Sequence, residues 1–192
     1  MVRPYLLLLI TALLGCRSLV GQTSSPKSAV NRNQSWSEFV SEKDGFAMML
    51  PEAPSPHKDT QLADGTAYTV HLRGNVTLTL HVGIFPEGCG DVFNKHLAAV
   101  KEDIPQAKQS KPTKTDQFRR LDISSVREFK AAGYPAVEYE QEVTDSQGKV
   151  RFYQRLECVD KRLYIFGAAW PAGSPKSADV TRAVDSFRLV RQ

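Results

Sequence analysis

The sequence predicts an α+β domain: a twisted antiparallel β-sheet of six or more strands flanked by helices. Three observations predict it. From Trp36 onward, short stretches alternate apolar and polar residues in period two and are separated by Gly, Asp, Asn and Pro. Two segments, residues 91–104 and the stretch after Ser174, carry a helical period instead. Neighbouring strand candidates also match apolar with apolar and Glu with Arg in a single register. With 192 residues, the chain is long enough for one domain with a normal core and too short for two comfortable ones. The 41% apolar and 24% charged content excludes wholesale disorder. A net charge of +4 is too weak to point to nucleic acid, and no nucleic-acid partner is expected.

Residues 1–15 read as an export signal. Arg3 supplies the positive flank, and residues 5–14 are apolar apart from Thr11. As a helix this run spans about 15 Å, half a hydrocarbon core, so it is a signal h-region and not a membrane span. It ends in Leu13-Leu14-Gly15-Cys16, which resembles a bacterial lipobox with Leu at −3 and a small residue before the Cys. The resemblance implies lipidation of Cys16 and a membrane-anchored lipoprotein facing the periplasm or the cell surface, with the outer membrane preferred. Two acyl chains give the double apolar signal that stable anchoring needs. Free secretion after cleavage near Gly21 is the alternative. Residues 16–35 are polar, without an apolar period, and read as a flexible tether; residues 36–192 form a single globular domain.

Within the domain, strands 36–41 and 46–50 flank a turn at Lys43-Asp44-Gly45. Pro51, Pro54 and Pro56 are expected to stop regular pairing. Residues 66–73 and 76–85 form the clearest hairpin. A three-residue loop, Arg73-Gly74-Asn75, opposes Leu72 to Val76 and Val70 to Leu78, whereas a two-residue loop would put the apolar sets on opposite faces. Residues 91–104 form a helix with Phe93, Leu97, Val100 and Ile104 on one side, Asp91 as its N-cap and Pro105 as its end. Residues 105–120 lack a period and carry Lys108, Lys111, Lys114, Arg119 and Arg120, a basic candidate contact for a partner. Strands follow at about 121–129, 136–143, 150–158 and 163–170. One register opposes Val143 to Val150, Val137 to Leu156, Glu142 to Arg151 and Glu138 to Arg155. The stretch Leu163-Tyr164-Ile165-Phe166 is apolar or aromatic on both faces, so this strand is central and covered on both sides. Ser174-Pro175 opens the last helix, whose buried stripe is Val180, Ala183 and Val184, and residues 186–190 close the sheet.

Trp36, Phe39 and Ser41, then Gly45-Phe46, then Leu50-Pro51 and Pro54 resemble the entry pattern of the PsbP-like superfamily. Gly133-Tyr134-Pro135-Ala136-Val137-Glu138, Arg162-Leu163-Tyr164 and Ser186-Phe187-Arg188-Leu189 fit the same pattern. The resemblance spans residues 36–190 and implies a PsbP-like α/β/α sandwich. Members include an extrinsic photosystem II protein, a Ran-binding protein and bacterial lipoproteins, so the resemblance implies a fold and no transferable site.

Three cysteines are present. With Cys16 lipidated, Cys89 and Cys158 remain as an even pair in an oxidising compartment. A disulfide, two separate buried thiols, and a reactive thiolate at Cys89, which sits between Gly88 and Gly90 before a helix, are the readings left open. Among the histidines, His71 and His81 share a hairpin face but lie roughly 13 Å apart along it, too far for one metal ion, so neither metal nor cofactor is expected. Glu138, Glu140 and Glu142 line one face of a strand and read as a charged sheet surface rather than an acid–base pair. No nucleophile elbow or phosphate-cradling Gly-rich loop occurs.

These features describe an exported, lipid-anchored, non-catalytic domain, expected as a monomer, that binds or assists assembly of an envelope partner. Its contact surfaces are the basic segment, the Pro-rich stretch 51–57 and the cleft near Cys89. One alternative is a small-molecule or lipid binding module, which would show an apolar cavity on the order of several hundred Å³ between helix and sheet. The other is a thiol-dependent enzyme at Cys89.

Overall fold

In the computed structural model, residues 35–59, 62, 64–74, 76–107, 118–145 and 148–190 are described. The export signal, Cys16, the tether and the basic residues Lys108, Lys111 and Lys114 lie outside the described residues.

β1 (Ser37–Ser41) and β2 (Phe46–Leu50) form a hairpin in which Ser41 faces Phe46. Its turn closes through Gly45 N–H to the Ser41 carbonyl at 2.8 Å. Gly45 has φ +72, the left-handed region that costs a residue with a Cβ. β3 (Ser55–Lys58) then pairs with β4 (Thr66–Leu72), and β4 with β5 (Val76–Ile84). Regular pairing therefore continues through Pro56, against the expectation that the prolines stop it. The reason is position: β3 is the edge of its sheet, and an edge strand tolerates a residue without an N–H. The β4–β5 register opposes Leu72 to Val76 and Val70 to Leu78, as the three-residue loop requires, with Gly74 at φ +76.

α1 (Gly90–Ala107) begins earlier and ends later than its sequence signals. The Cys89 carbonyl accepts from Phe93 N–H at 3.0 Å, so Asp91 sits inside the first turn rather than capping it. Pro105 lies in the last turn without ending the helix, because a proline there removes only one terminal hydrogen bond. β6 (Phe118–Ala131), β7 (Tyr134–Asp145), β8 (Gly148–Val159) and β9 (Arg162–Pro171) follow as a meander. β6 starts at Phe118, so Arg119 and Arg120 belong to a strand and not to a loop. The β7–β8 register is the one read from the sequence, Val143 to Val150 and Val137 to Leu156.

α2 (Ala178–Asp185) is capped by Ser177, whose Oγ accepts from Asp179 N–H at 3.3 Å. Ser174, the expected cap, instead closes a turn on the Pro171 carbonyl. β10 (Arg188–Leu189) adds to β2. The sheets are thus β1-β2-β10 and β3-β4-β5-β9-β8-β7-β6, with antiparallel pairs throughout.

Two cores share the seven-stranded sheet. On one face, Tyr68, Val70, Leu78, Leu80, Tyr164, Phe166 and Trp170 pack with Phe46 and Met48 of β2 and Val180 and Val184 of α2. On the other, Val137, Tyr139, Leu156, Leu163 and Ile165 pack with Phe93 and Val100 of α1. β9 contributes alternate residues to both, which is why its sequence is apolar without a period of two.

Candidate interaction site at the disulfide-held end of the sheet

Asp160 and Lys161 form the two-residue turn between β8 and β9, with Asp160 at φ +53. Aspartate tolerates that conformation better than most residues with a Cβ. Three links hold the turn to the segment entering α1. Phe85 N–H donates to the Lys161 carbonyl at 2.7 Å, and Cys89 N–H donates to the Asp160 carbonyl at 3.0 Å. The third link is covalent: Cys89 and Cys158 are joined by a disulfide with a Cα–Cα distance of 5.6 Å. Cys89 is fully buried and Cys158 nearly so. A bridged sulfur is not a nucleophile, so thiol chemistry at Cys89 would first require reduction. On the outer side, Tyr134 Oη donates to the Asp160 carboxylate at 3.3 Å. The neighbouring β1–β2 turn is fixed to the same end by Tyr164 Oη donating to the Asp44 carbonyl at 2.7 Å.

This framework surrounds an open, shallow depression of about 300 Å³ lined by Ile84, Val159, Asp160, Lys161 and Arg162. Ile84 is 40% exposed at the end of a strand face whose other residues, Val76, Leu78, Leu80 and Val82, are buried. Another cavity lies inside the first core, between β2 and the sheet. It is lined by apolar side chains including Phe39, Phe46, Leu50 and Tyr68, and at about 10 Å³ it is far smaller than a lipid or drug-sized ligand requires.

Elsewhere the structure gathers polar groups into closed arrangements. Tyr68 Oη donates to Asp44 at 2.5 Å and lies 2.8 Å from Ser41 Oγ; burial, reinforced by Asp44, pushes the Tyr68 hydroxyl up to about 12. On the other face, Tyr139 Oη donates to Gln154 and lies 2.8 Å from His96 Nε2, so His96 carries its proton on Nε2. Burial pushes His96 down to about 4. Neither His96 nor its partners stood out in the sequence, because a lone histidine on a helix has no local marker of burial.

His71 opposes Thr77, with Nδ1 3.4 Å from its hydroxyl. His81 Nδ1 sits 2.7 Å from Asp59, a buried carboxylate that also accepts from Leu62 N–H. That pair was hidden because β3, which leads into Asp59, was not recognised as a strand. Each strand glutamate meets a cation: Glu138 meets Arg127 at 2.8 Å, Glu140 meets Lys176 at 3.9 Å, and Glu142 meets Lys149 at 2.9 Å. The Lys149 ammonium holds the Glu142 carboxyl below its ordinary range, with Arg151 adding to the effect. Glu138 and Arg155 are register partners, yet Arg155 pairs with Glu157 instead, two residues along the same face. Among the described residues, no cluster of three or more His, Cys, Asp or Glu is placed to hold a metal ion. No helix among them is long and apolar enough to cross a membrane.

No protein-family model matches the chain, and no curated protein sequence does. Solved structures do. The chain is similar to the solution structure of cyanobacterial PsbP (CyanoP) from Synechocystis sp. PCC 6803, at 12% identity and a TM-score of 0.53. That match covers 88% of this chain and 99% of the other. A crystal structure from Bacteroides thetaiotaomicron is similar at 10% identity over 83% of this chain and 50% of that one, with a TM-score of 0.47. A protein of unknown function from Pseudomonas aeruginosa matches at 11% identity over 72% of this chain and 84% of that one, with a TM-score of 0.39. The cyanobacterial match, spanning essentially all of that protein, together with the mixed architecture above, establishes that this chain has a PsbP-like fold.

Proposed function

We propose that the chain is an exported lipoprotein, anchored through lipid on Cys16, whose PsbP-like domain is a non-catalytic module that binds an envelope partner. The observation that carries the binding reading is Ile84, exposed in an open depression whose wall is pinned by a disulfide and two backbone hydrogen bonds. Rigid backing lowers the ordering cost of association, and an exposed apolar side chain supplies the anchor. The anchoring reading is supported by Leu13-Leu14-Gly15-Cys16 at the end of the apolar run and by the polar stretch that follows. The non-catalytic reading is supported by where the titratable groups go: His96, Tyr68, Asp44 and Asp59 are each engaged in structural hydrogen bonds. The basic residues Lys108, Lys111, Lys114, Arg119 and Arg120 belong to the proposal as a second contact, for anionic headgroups or an acidic partner.

Growing cells with a palmitate analogue tests the anchor. Label is expected on the wild type and not on Cys16→Ala; equal label on both defeats it. A photo-crosslinking phenylalanine analogue at Ile84 tests the binding surface in the native envelope. Adducts are expected there and not from the same analogue at Lys130, which is exposed on β6.

A further inference from the structure

The buried bridge implies a reaction that acts on the chain before it packs. We propose that the chain is a substrate of an exported thiol–disulfide oxidant, a protein with an exchangeable disulfide, which reacts first at Cys89 and before α1 is laid on the sheet; this rests on the export reading above. Cys89 is fully buried and Cys158 is 6% exposed. Both sit in the core under α1 with Phe93, Val100, Leu156 and Leu163. Disulfide exchange passes through a mixed disulfide, so the oxidant's sulfur has to touch one of the chain's own. A protein cannot reach a sulfur walled in by a helix and a sheet. The two cysteines are 69 residues apart, with α1, β6 and β7 between them. The oxidant therefore meets the thiols while those elements are unpacked.

The exchange balances in two steps. The Cys89 thiolate attacks the oxidant's disulfide; a bond forms between Cys89 and the oxidant, the oxidant's own S–S bond breaks, and its second sulfur leaves as a thiolate. The Cys158 thiolate then attacks the Cys89 sulfur, the bridge forms, and the oxidant leaves as a dithiol. Two electrons and two protons pass from the chain's thiols to the oxidant.

Access selects Cys89 for the first step. It stands between Gly88 and Gly90, so no adjacent side chain hinders an approaching protein. Cys158 stands between Glu157 and Val159 on β8, an interior strand, opposite Leu163. Charge does not make the choice: Glu87, Asp91, Asp160 and Lys161 surround Cys89 in the chain or across the turn, and Glu157 adjoins Cys158. The second step is guided by the backbone. Phe85 and Cys89 N–H bond to the Lys161 and Asp160 carbonyls, which brings the Cys89 segment to a turn only two residues beyond Cys158.

The test begins with the full chain purified in detergent. Dithiothreitol is expected to open the bridge about tenfold or more slowly in the native chain than in urea, with glutathione disulfide as the reference in each solvent. Reduced single-thiol variants are then diluted from urea into glutathione disulfide, quenched with acid and read by mass spectrometry, a readout that does not require them to fold. Glutathione is expected on Cys89 of Cys158→Ser about fivefold or more faster than on Cys158 of Cys89→Ser. In cells, Cys158→Ser is expected to hold a protein adduct that dithiothreitol releases, and Cys89→Ser to hold less of it. Equal opening in native and unfolded chains, equal or reversed glutathione rates, or no adduct on Cys158→Ser overturns the proposal. A full chain whose Cys89 and Cys158 are free thiols in cells defeats the export reading and the oxidant together. A bridged wild type whose Cys158→Ser variant traps no protein defeats the oxidant alone.

Discussion

His96 shows how one side chain can set a pH dependence. Burial against Tyr139 holds it neutral, with its pKa lowered from 6.5 to about 4. Between those values the unfolded chain binds the proton and the folded chain does not, so stability rises with pH through that window and falls as pH drops from 6.5 toward 4. The full effect is on the order of 3 kcal/mol. Urea unfolding at pH 7 and pH 4.5 is expected to show a smaller stability difference for His96→Phe than for the wild type; an identical difference would remove His96 as the cause. Tyr68 gives a second residue-scale prediction. Its hydroxyl is the donor to a fully buried carboxylate, Asp44. Tyr68→Phe leaves that oxygen short of a partner and is expected to cost about 1–3 kcal/mol, read as a lower denaturant midpoint at unchanged slope. Neither network was legible in the sequence. Asp44 reads there as a turn residue and Tyr68 as a core aromatic, and only packing brings one onto the other.

At the scale of elements, strand registers were legible where two independent patterns agreed. The β4–β5 and β7–β8 pairings follow from burying one face, because a slip of one residue would turn every apolar side chain to solvent. Element ends were less legible: Pro56 sits on an edge strand, Pro105 in the last turn of α1, and the cap of α2 is Ser177 rather than Ser174. The disulfide belongs to this scale, since it ties the start of α1 to the end of β8 across 69 residues of sequence. Closing a loop of that length removes unfolded-chain entropy worth about 4 kcal/mol. Replacing Cys89 and Cys158 together with serine is expected to lower stability by roughly that amount, and a non-reducing unfolding titration beside the wild type measures it. The β1–β2 turn makes a smaller prediction. Gly45→Ala forces a Cβ into the left-handed region, 3.4 Å from an Arg162 guanidinium nitrogen, and is expected to cost about 1–2 kcal/mol. No loss in midpoint would mean that the turn relaxes.

For the whole molecule, β9 is the seam. Ile165 belongs to the core under α1 and its neighbour Phe166 to the core under β2 and α2. Neither core can open without disturbing that strand, so the domain is expected to unfold in one cooperative step. Ile165→Ala and Phe166→Ala should each destabilise it by about 2–5 kcal/mol. Far-ultraviolet circular dichroism and the fluorescence of Trp36 and Trp170 should report coincident transitions in the wild type and in both variants. A transition seen by one probe alone would separate the cores.

Alternation of apolar and polar residues, turn chemistry and charge matching determined by themselves that this chain folds as an antiparallel sheet with helices. They also determined the hairpin partners β1–β2, β4–β5 and β7–β8, and which strand is covered on both faces. Those properties depend on residues close in sequence, or on pairs joined by short turns. Only the tertiary structure decided that Asp59 meets His81, that His96 lies beneath a helix against Tyr139, and that Ile84 stands exposed beside Lys161. Such contacts join residues brought together by packing between elements, and a one-dimensional pattern carries no term for the distance between faces that meet only in three dimensions.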